Sequence, residues 1–284
     1  MSTIYSEYAL AYERQSLMSE FYGAEFVIFK SADTQVKTLV QIFQDQGTSF
    51  KKPLILKNIR GHLDALLSKA TTDLTDCNIL QRVIMDYLNF APQKDVESLL
   101  PSLKDHVVHI LHTREGSQVA RKVMLWSQAK DRKYILKTLK SFVKKIAMEQ
   151  YGFSLLVTVC ECVDDTVLVG KVLSELKSED IKELAEDKWG SRFLLHILSG
   201  RNKRYLPVSL VNELEADDET RKLTCKKDDQ VRAAEILTVM LPLLVAAMAD
   251  KDTLNHVMRV KEGREVAIEL INCTLGGEFY LSII

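Results

Sequence analysis

The chain is short of the residues that make turns. It has only 11 glycines and 5 prolines in 284 residues. All-β and doubly wound α/β chains of this length use more of both at their bends, so the scarcity points to helices. Cysteine is also scarce. Cys77, Cys160, Cys162, Cys225 and Cys273 make an odd set with no CxxC pair, which predicts reduced, mostly buried thiols in place of a disulfide framework or zinc ribbon. No charge sign dominates: 38 Lys and Arg face 39 Asp and Glu, a net −1. Total charge therefore names no polyanionic partner, and local charge has to be read instead. The most apolar run, ILTVMLPLLVAAM at 236–248, is 13 residues with a proline in its middle. A bilayer span needs roughly 20, so a buried helix is predicted and no membrane role is expected. The opening MSTIYSEYALAYERQ turns polar and acidic too early for a secretory leader.

What is present is helical periodicity. Leu54, Ile55, Ile59, Leu63, Leu66 and Leu67 fall near i, i+3/i+4, i+7 spacing, and so do Ile135, Leu136, Leu139, Phe142, Val143 and Ile146. Capping residues recur in SADTQ (31–35), TDLTD (72–76) and SEDIKE (178–183). Loops are predicted near 45–53, 199–207 and 215–230.

A unit recurs within this pattern. A small or turn-forming residue, two variable positions and a short apolar helix follow one another at Gly23, Asp76, Gly116, Gly152, Gly190 and Gly263. From 76 to 190 the steps are 40, 36 and 38 residues; the outer steps, 53 and 73, leave room for an insertion or a decayed unit. A helical period of this length predicts an α-solenoid, in which each unit buries its apolar face against its neighbours.

The motifs DKWGSRFLLHIL (187–198) and DLTDCNILQRVI (73–84) resemble the Pumilio-homology (PUF) repeat. FYGAEFVIFKSAD (21–33), the AKDRK stretch within 112–147, CVDDTVLV (162–169) and EDKWGSRFLLHILSGR (186–201) resemble its divergent Puf-A (pumilio homolog 3, or Penguin) branch. The resemblance spans about residues 10–275. It implies an all-α fold: a curved α-solenoid of PUF repeats, armadillo- or HEAT-like in build. It implies Pumilio-homology repeats over 1–164, a CPL (Penguin-like) region over 165–275 and a tail over 276–284. It also implies that the chain is part of a longer array with a lysine-rich N-terminal tail. The expected role is a non-enzymatic, monomeric RNA-binding protein of the nucleus and nucleolus. There it would act in large-subunit ribosome biogenesis and pre-rRNA processing beside pre-ribosomal assembly proteins, with mRNA translational regulation as a further role and DNA as a further ligand.

PUF repeats read a base with residues one and five after the marker at its edge and residue two stacking on its face. Here the candidate base-facing residues are Cys77, Asn78 and Gln81; Ser117, Gln118 and Arg121; and Ser191 and Arg192. Only the first set can read an edge completely, because Leu195, Phe153 and Val157 have no such capacity. The code is broken, which predicts binding by shape and charge. Charge agrees: Arg114 to Lys145 holds ten Lys or Arg and two acids, an excess of +8 against −9 elsewhere. Arg114, Lys122, Lys130, Arg132, Lys133, Lys137, Lys140 and Lys144 are the candidate phosphate contacts, with one helical stripe predicted from Lys133 onward, opposite the Ile/Leu/Phe face.

Sharper chemistry does not assemble. His106, His109 and His112 lack a third ligand on one helical side, so no metal is expected. REGS at 114–117 is not a nucleotide phosphate loop. Asp164 and Asp165 suit a helix cap before Thr166. Trp126 is predicted in the core, while Trp189 can stack on a neighbour or on a base. The 215–230 segment reads as a solvated linker. No cofactor and no catalytic residue are expected. The rival reading is a HEAT- or armadillo-like scaffold that holds proteins and no RNA.

Overall fold

In the computed structural model, four of the recurring glycines perform one task. A Cβ on Gly116, Gly152, Gly190 or Gly263 would meet the backbone carbonyl oxygen of Ile110, Ile146, Leu184 or Val257, at 2.0, 2.8, 2.8 and 2.3 Å. In each case the partner is a buried aliphatic residue six positions upstream. The unit is therefore an aliphatic residue that closes one helix or turn, then a glycine that lets the next helix start against its carbonyl. Gly23 differs: it adopts φ +135°, beside Asn58, whose Nδ2 donates to the Tyr22 carbonyl at 2.9 Å.

The structure describes residues 4–23, 37–45, 51–68 and 77–275. The Asp76 marker, the caps at 31–35 and 72–76 and the 276–284 tail lie outside them. Every regular element among the described residues is helical. The chain divides into two compact units, Met1–Lys122 and Val123–Ile284. This contact boundary is of a different kind from the family boundary expected near 164.

The first unit holds a π-helical turn (Ile4–Tyr8), α1 (Ala11–Ser19), α2 (Leu39–Gln44), α3 (Lys52–Leu67), α4 (Asn78–Phe90), α5 (Gln93–Leu103) and the start of α6 (Arg114–Trp126). Helix α3 buries Ile55, Ile59 and Leu63 of the predicted apolar face, together with Leu56, while Leu54 is exposed and Leu66 and Leu67 are half-buried. His106 ends a 3₁₀ turn and residues 107–112 form turns, so the three histidines share no helix.

The second unit continues with α7 (Ala129–Leu139), α8 (Val143–Met148), α9 (Phe153–Cys162), α10 (Thr166–Leu173), α11 (Ser178–Glu186) and α12 (Gly190–Ser199). It ends with α13 (Val208–Ala216), α14 (Asp218–Thr224), α15 (Asp229–Met248), α16 (Lys251–Val257) and α17 (Lys261–Leu275). Two expectations need correction here. The apolar run at 236–248 belongs to a 20-residue helix, long and apolar enough to cross a membrane by length and composition. It packs Ile236, Leu237, Met240, Leu244 and Ala247 into the unit's core, and its first turns carry the buried Arg232. The supposed linker at 215–230 is largely helical and held by ion pairs. All five cysteines are free; Cys160 and Cys162 are buried and the others half-buried.

Candidate nucleic-acid interface

Helix α7 buries Ile135, Leu136 and Leu139, and turns Lys130, Lys133, Tyr134 and Lys137 to solvent. The predicted continuous stripe stops here. Ser141 takes φ +69°, which ends α7, and Val143 opens a separate helix. Glu175 holds this turn: it accepts from the Ser141 N–H at 2.9 Å and pairs with Lys140 at 3.1 Å. Phe142, assigned to the apolar face, is 48% exposed.

Arg132 is the clearest correction. It was expected to touch phosphate, yet it is 2% exposed. Its Nε donates to Met124 O (3.0 Å), and its Nη2 to Leu125 O (2.6 Å) and Thr224 Oγ1 (2.8 Å). Its Nη1 donates to Cys162 O (2.6 Å) and Thr224 O (3.3 Å) and meets Cys225 Sγ (3.3 Å). These carbonyls are the C-terminal ends of α6, α9 and α14, where unpaired C=O groups converge. The next residue, Lys133, pairs with Asp165 at 2.8 Å, and Asp165 caps α10 by accepting from the Leu168 N–H at 3.0 Å. AKDRK and CVDDT, the two stretches most specific to the family pattern, therefore touch each other.

Acids of neighbouring helices neutralise several of the other lysines. Lys144 lies 2.9 Å from both Asp180 and Glu183. Its ammonium holds the Asp180 carboxyl below the usual carboxylate range, as Lys133 does for Asp165. Solvent-exposed pairs of this kind are worth about 0–1 kcal/mol, so they can exchange with phosphate but dilute the local field. Among the described residues, Lys130, Lys137 and Lys145 have no carboxylate within ion-pair distance. Arg114 is exposed and Lys122 half-buried.

The base-facing set also divides. Gln81 is 0% exposed and accepts from Thr113 Oγ1 at 2.5 Å. Ser117 and Ser191 are buried and donate to Arg114 O (2.9 Å) and Lys188 O (3.3 Å), and Arg121 is buried. Both positions face the core after Gly116, Gly152 and Gly190, while Cys77 is half-buried and Arg264 and Ile268, after Gly263, are exposed. Cys77, Asn78, Gln118 and Arg192 stay half-buried. The Arg192 guanidinium lies 4.4 Å from the Trp189 ring centre, and Trp189 stacks on Phe153 at 5.7 Å. Trp189 is thus a packing residue.

Sequence reasoning missed an ion chain beside a cleft of about 490 Å³. Arg201 grips Glu161 (2.8 and 2.7 Å) and Asp218 (3.0 and 2.7 Å). Arg221 links Asp218 to Asp229, and Arg232 links Asp229 (2.8 Å) to Asp164 (3.0 Å). Burial pushes Asp218 up, but Arg201 and Arg221 hold its carboxyl below the usual range. Beside it, burial drives the His196 imidazole down and the Cys162 thiol up to about 12. The charges satisfy one another and serve packing. The alternation of RNKR (201–204) with EADDE (215–219) was the one available signal.

A model of the CPL (NUC119) domain matches residues 186–278. The chain is 32% identical over 242 residues to Pumilio homology domain family member 6 of Saccharomyces cerevisiae, covering 85% of this chain and 36% of that protein. It is 29% identical over 246 residues to Pumilio homolog 3 of Homo sapiens, covering 87% and 37%. The fold superposes on human Puf-A crystallised in complex with DNA with a TM-score of 0.84. The identity there is 28%, over 95% of this chain and 51% of that one. The chain thus spans a little over a third of the length of these curated relatives.

Proposed function

Because the chain belongs to the Puf-A (Pumilio homolog 3) branch of the Pumilio-homology family, we propose that it binds nucleic acid, RNA foremost, through backbone contacts with little base readout. The observation that carries this reading is the outer face of α7, where Lys130 and Lys137 have no acid partner among the described residues and stand beside the exchangeable Lys133. Inward-facing edge-reading positions favour weak sequence preference, and the DNA complex of human Puf-A favours a polyanion as ligand. The double variant Lys130→Glu/Lys137→Glu should lose at least about tenfold in affinity for single-stranded RNA, roughly 1.4 kcal/mol. Its melting temperature should be unchanged, because both side chains are exposed. Lys144→Gln, which removes a charge already neutralised by Asp180 and Glu183, should weaken binding less. Equal RNA affinity in wild type and double variant would refute the α7 assignment.

The finer reading rests on family membership. The protein is a nucleolar factor in pre-rRNA processing of the large subunit, working beside pre-ribosomal assembly proteins, with translational control of mRNA as a second role. Ultraviolet crosslinking of the whole protein in cells should recover pre-rRNA segments. Recovery of mRNA alone would overturn the nucleolar role, and recovery of proteins without RNA would favour the scaffold reading.

A further inference from the structure

We propose that the outward face of α17 docks a protein segment that carries carboxylates beside aliphatic side chains. This surface does not involve α7 and stands apart from the nucleic-acid reading above. Helix α17 buries Gly263, Val266, Ala267 and Leu270 against α11, α12, α15 and α16. Away from that face, Lys261, Arg264, Ile268 and Ile271 fall within about 80° of one another around the axis and span about 15 Å along it. All four are exposed, the two isoleucines at 45% and 49%. Arg259, also exposed, stands just before the helix.

The helix sorts its charges. Its acids are half-buried and engaged within the unit: the buried Tyr205 donates from its hydroxyl to Glu269 at 2.5 Å. Burial pulls the Arg192 guanidinium down, and the charges of Glu262 and Glu265 oppose that fall. Among the described residues, Arg259, Lys261 and Arg264 have no carboxylate within ion-pair distance. Lys140 and Lys144, by contrast, are matched by Glu175, Asp180 and Glu183. The first half of the α17 stripe is therefore an unmatched positive field, which the positive end of the helix dipole strengthens. The second half is aliphatic and uncharged. A nucleic acid answers only the first half. No aromatic ring stands on the stripe for a base to stack on, and the isoleucines would stay in water. An acidic amphipathic segment answers both halves, with carboxylates on the cations and leucine or isoleucine over Ile268 and Ile271.

The test selects binders of the intact chain from a library of random peptides of about 12 residues, long enough as a helix to cover the stripe. The enriched peptides should combine Asp or Glu with Leu or Ile. Fluorescence anisotropy then compares their affinity for three variants. Lys261→Glu/Arg264→Glu and Ile268→Gln/Ile271→Gln should each weaken binding at least about tenfold. Glutamine keeps the helix propensity, so the second variant should still fold. Lys130→Glu/Lys137→Glu should bind the peptides as the wild type does. Enriched peptides without carboxylates or without aliphatic residues would overturn the proposal, and so would wild-type affinity in the glutamine variant. If the charge reversal weakens a uridine homopolymer and the glutamine variant changes nothing, the face is a nucleic-acid contact and the proposal falls. A dimer in sedimentation that the glutamine variant splits would give the face to a second copy of this chain and would equally overturn it.

Discussion

Replacing Arg132 with methionine should lower the melting temperature of the protein by about 10 °C. Its side chain is buried and places five guanidinium hydrogen bonds to oxygen on three helix ends. Each C-terminus carries about half a negative charge. Three of them converging replace the carboxylate that a buried guanidinium otherwise needs. Methionine fills much of the volume but takes the guanidinium donor from the carbonyls of Met124, Leu125 and Cys162, of which Cys162 keeps only the weak Cys225 thiol donor (3.2 Å). Each unmet buried acceptor costs about 1–3 kcal/mol, and the total is expected near 3–5 kcal/mol. Arg132→Lys keeps the charge but lacks the planar fork that reaches three directions, so it should recover only part of the loss. Thermal and urea denaturation followed by circular dichroism measure both. A methionine variant with wild-type stability and weakened RNA binding would restore Arg132 as a phosphate contact.

Gly116→Ala and Gly61→Ala should shift stability in opposite directions. Alanine in a helix is ordinarily better than glycine by about 1 kcal/mol. Gly61 sits on the exposed side of α3, and a Cβ there meets nothing within 4 Å, so its replacement should gain about that amount. A Cβ on Gly116 would lie 2.0 Å from Ile110 O and 2.5 Å from Thr113 Oγ1. A backbone carbonyl cannot swing aside as a side chain can. The first turn of α6 would have to lift away, and Thr113 would lose its bonds to the Gly116 N–H (3.0 Å) and to Gln81 (2.5 Å). The expected loss is about 3 kcal/mol. Urea midpoints of the two variants check the pair; a stabilised Gly116→Ala would mean that the helix–turn–helix contact is not close.

The repeat was legible because its cause is local. An aliphatic residue, five positions and a glycine encode the approach at 110–116, 146–152, 184–190 and 257–263 without help from distant residues. The Asp165 cap was legible for the same reason. The break inside the basic stripe was not. Ile135, Leu136 and Leu139 on one side and Val143 and Ile146 on the other are all buried, so the apolar period reads through Ser141. Neither glycine nor proline marks the turn there, and Glu175, which holds it, lies 34 residues away. Arg132 and Lys133 look alike as charges but point about 100° apart around α7. Which of them is buried depends on where three helix ends meet, and that is a tertiary fact. The base-facing residues were placed by family register, and four of them in edge-reading positions, Gln81, Ser117, Arg121 and Ser191, are buried in the core.

The most direct test is the salt dependence of RNA affinity in the wild type and in Lys130→Gln/Lys137→Gln. Each phosphate contact to a single strand contributes about 0.7 to the slope of log affinity against log salt concentration. Removing two contacts should flatten that slope by about 1.4 and lower the affinity at low salt. An identical slope and affinity in both proteins would contradict phosphate contact by the outer face of α7.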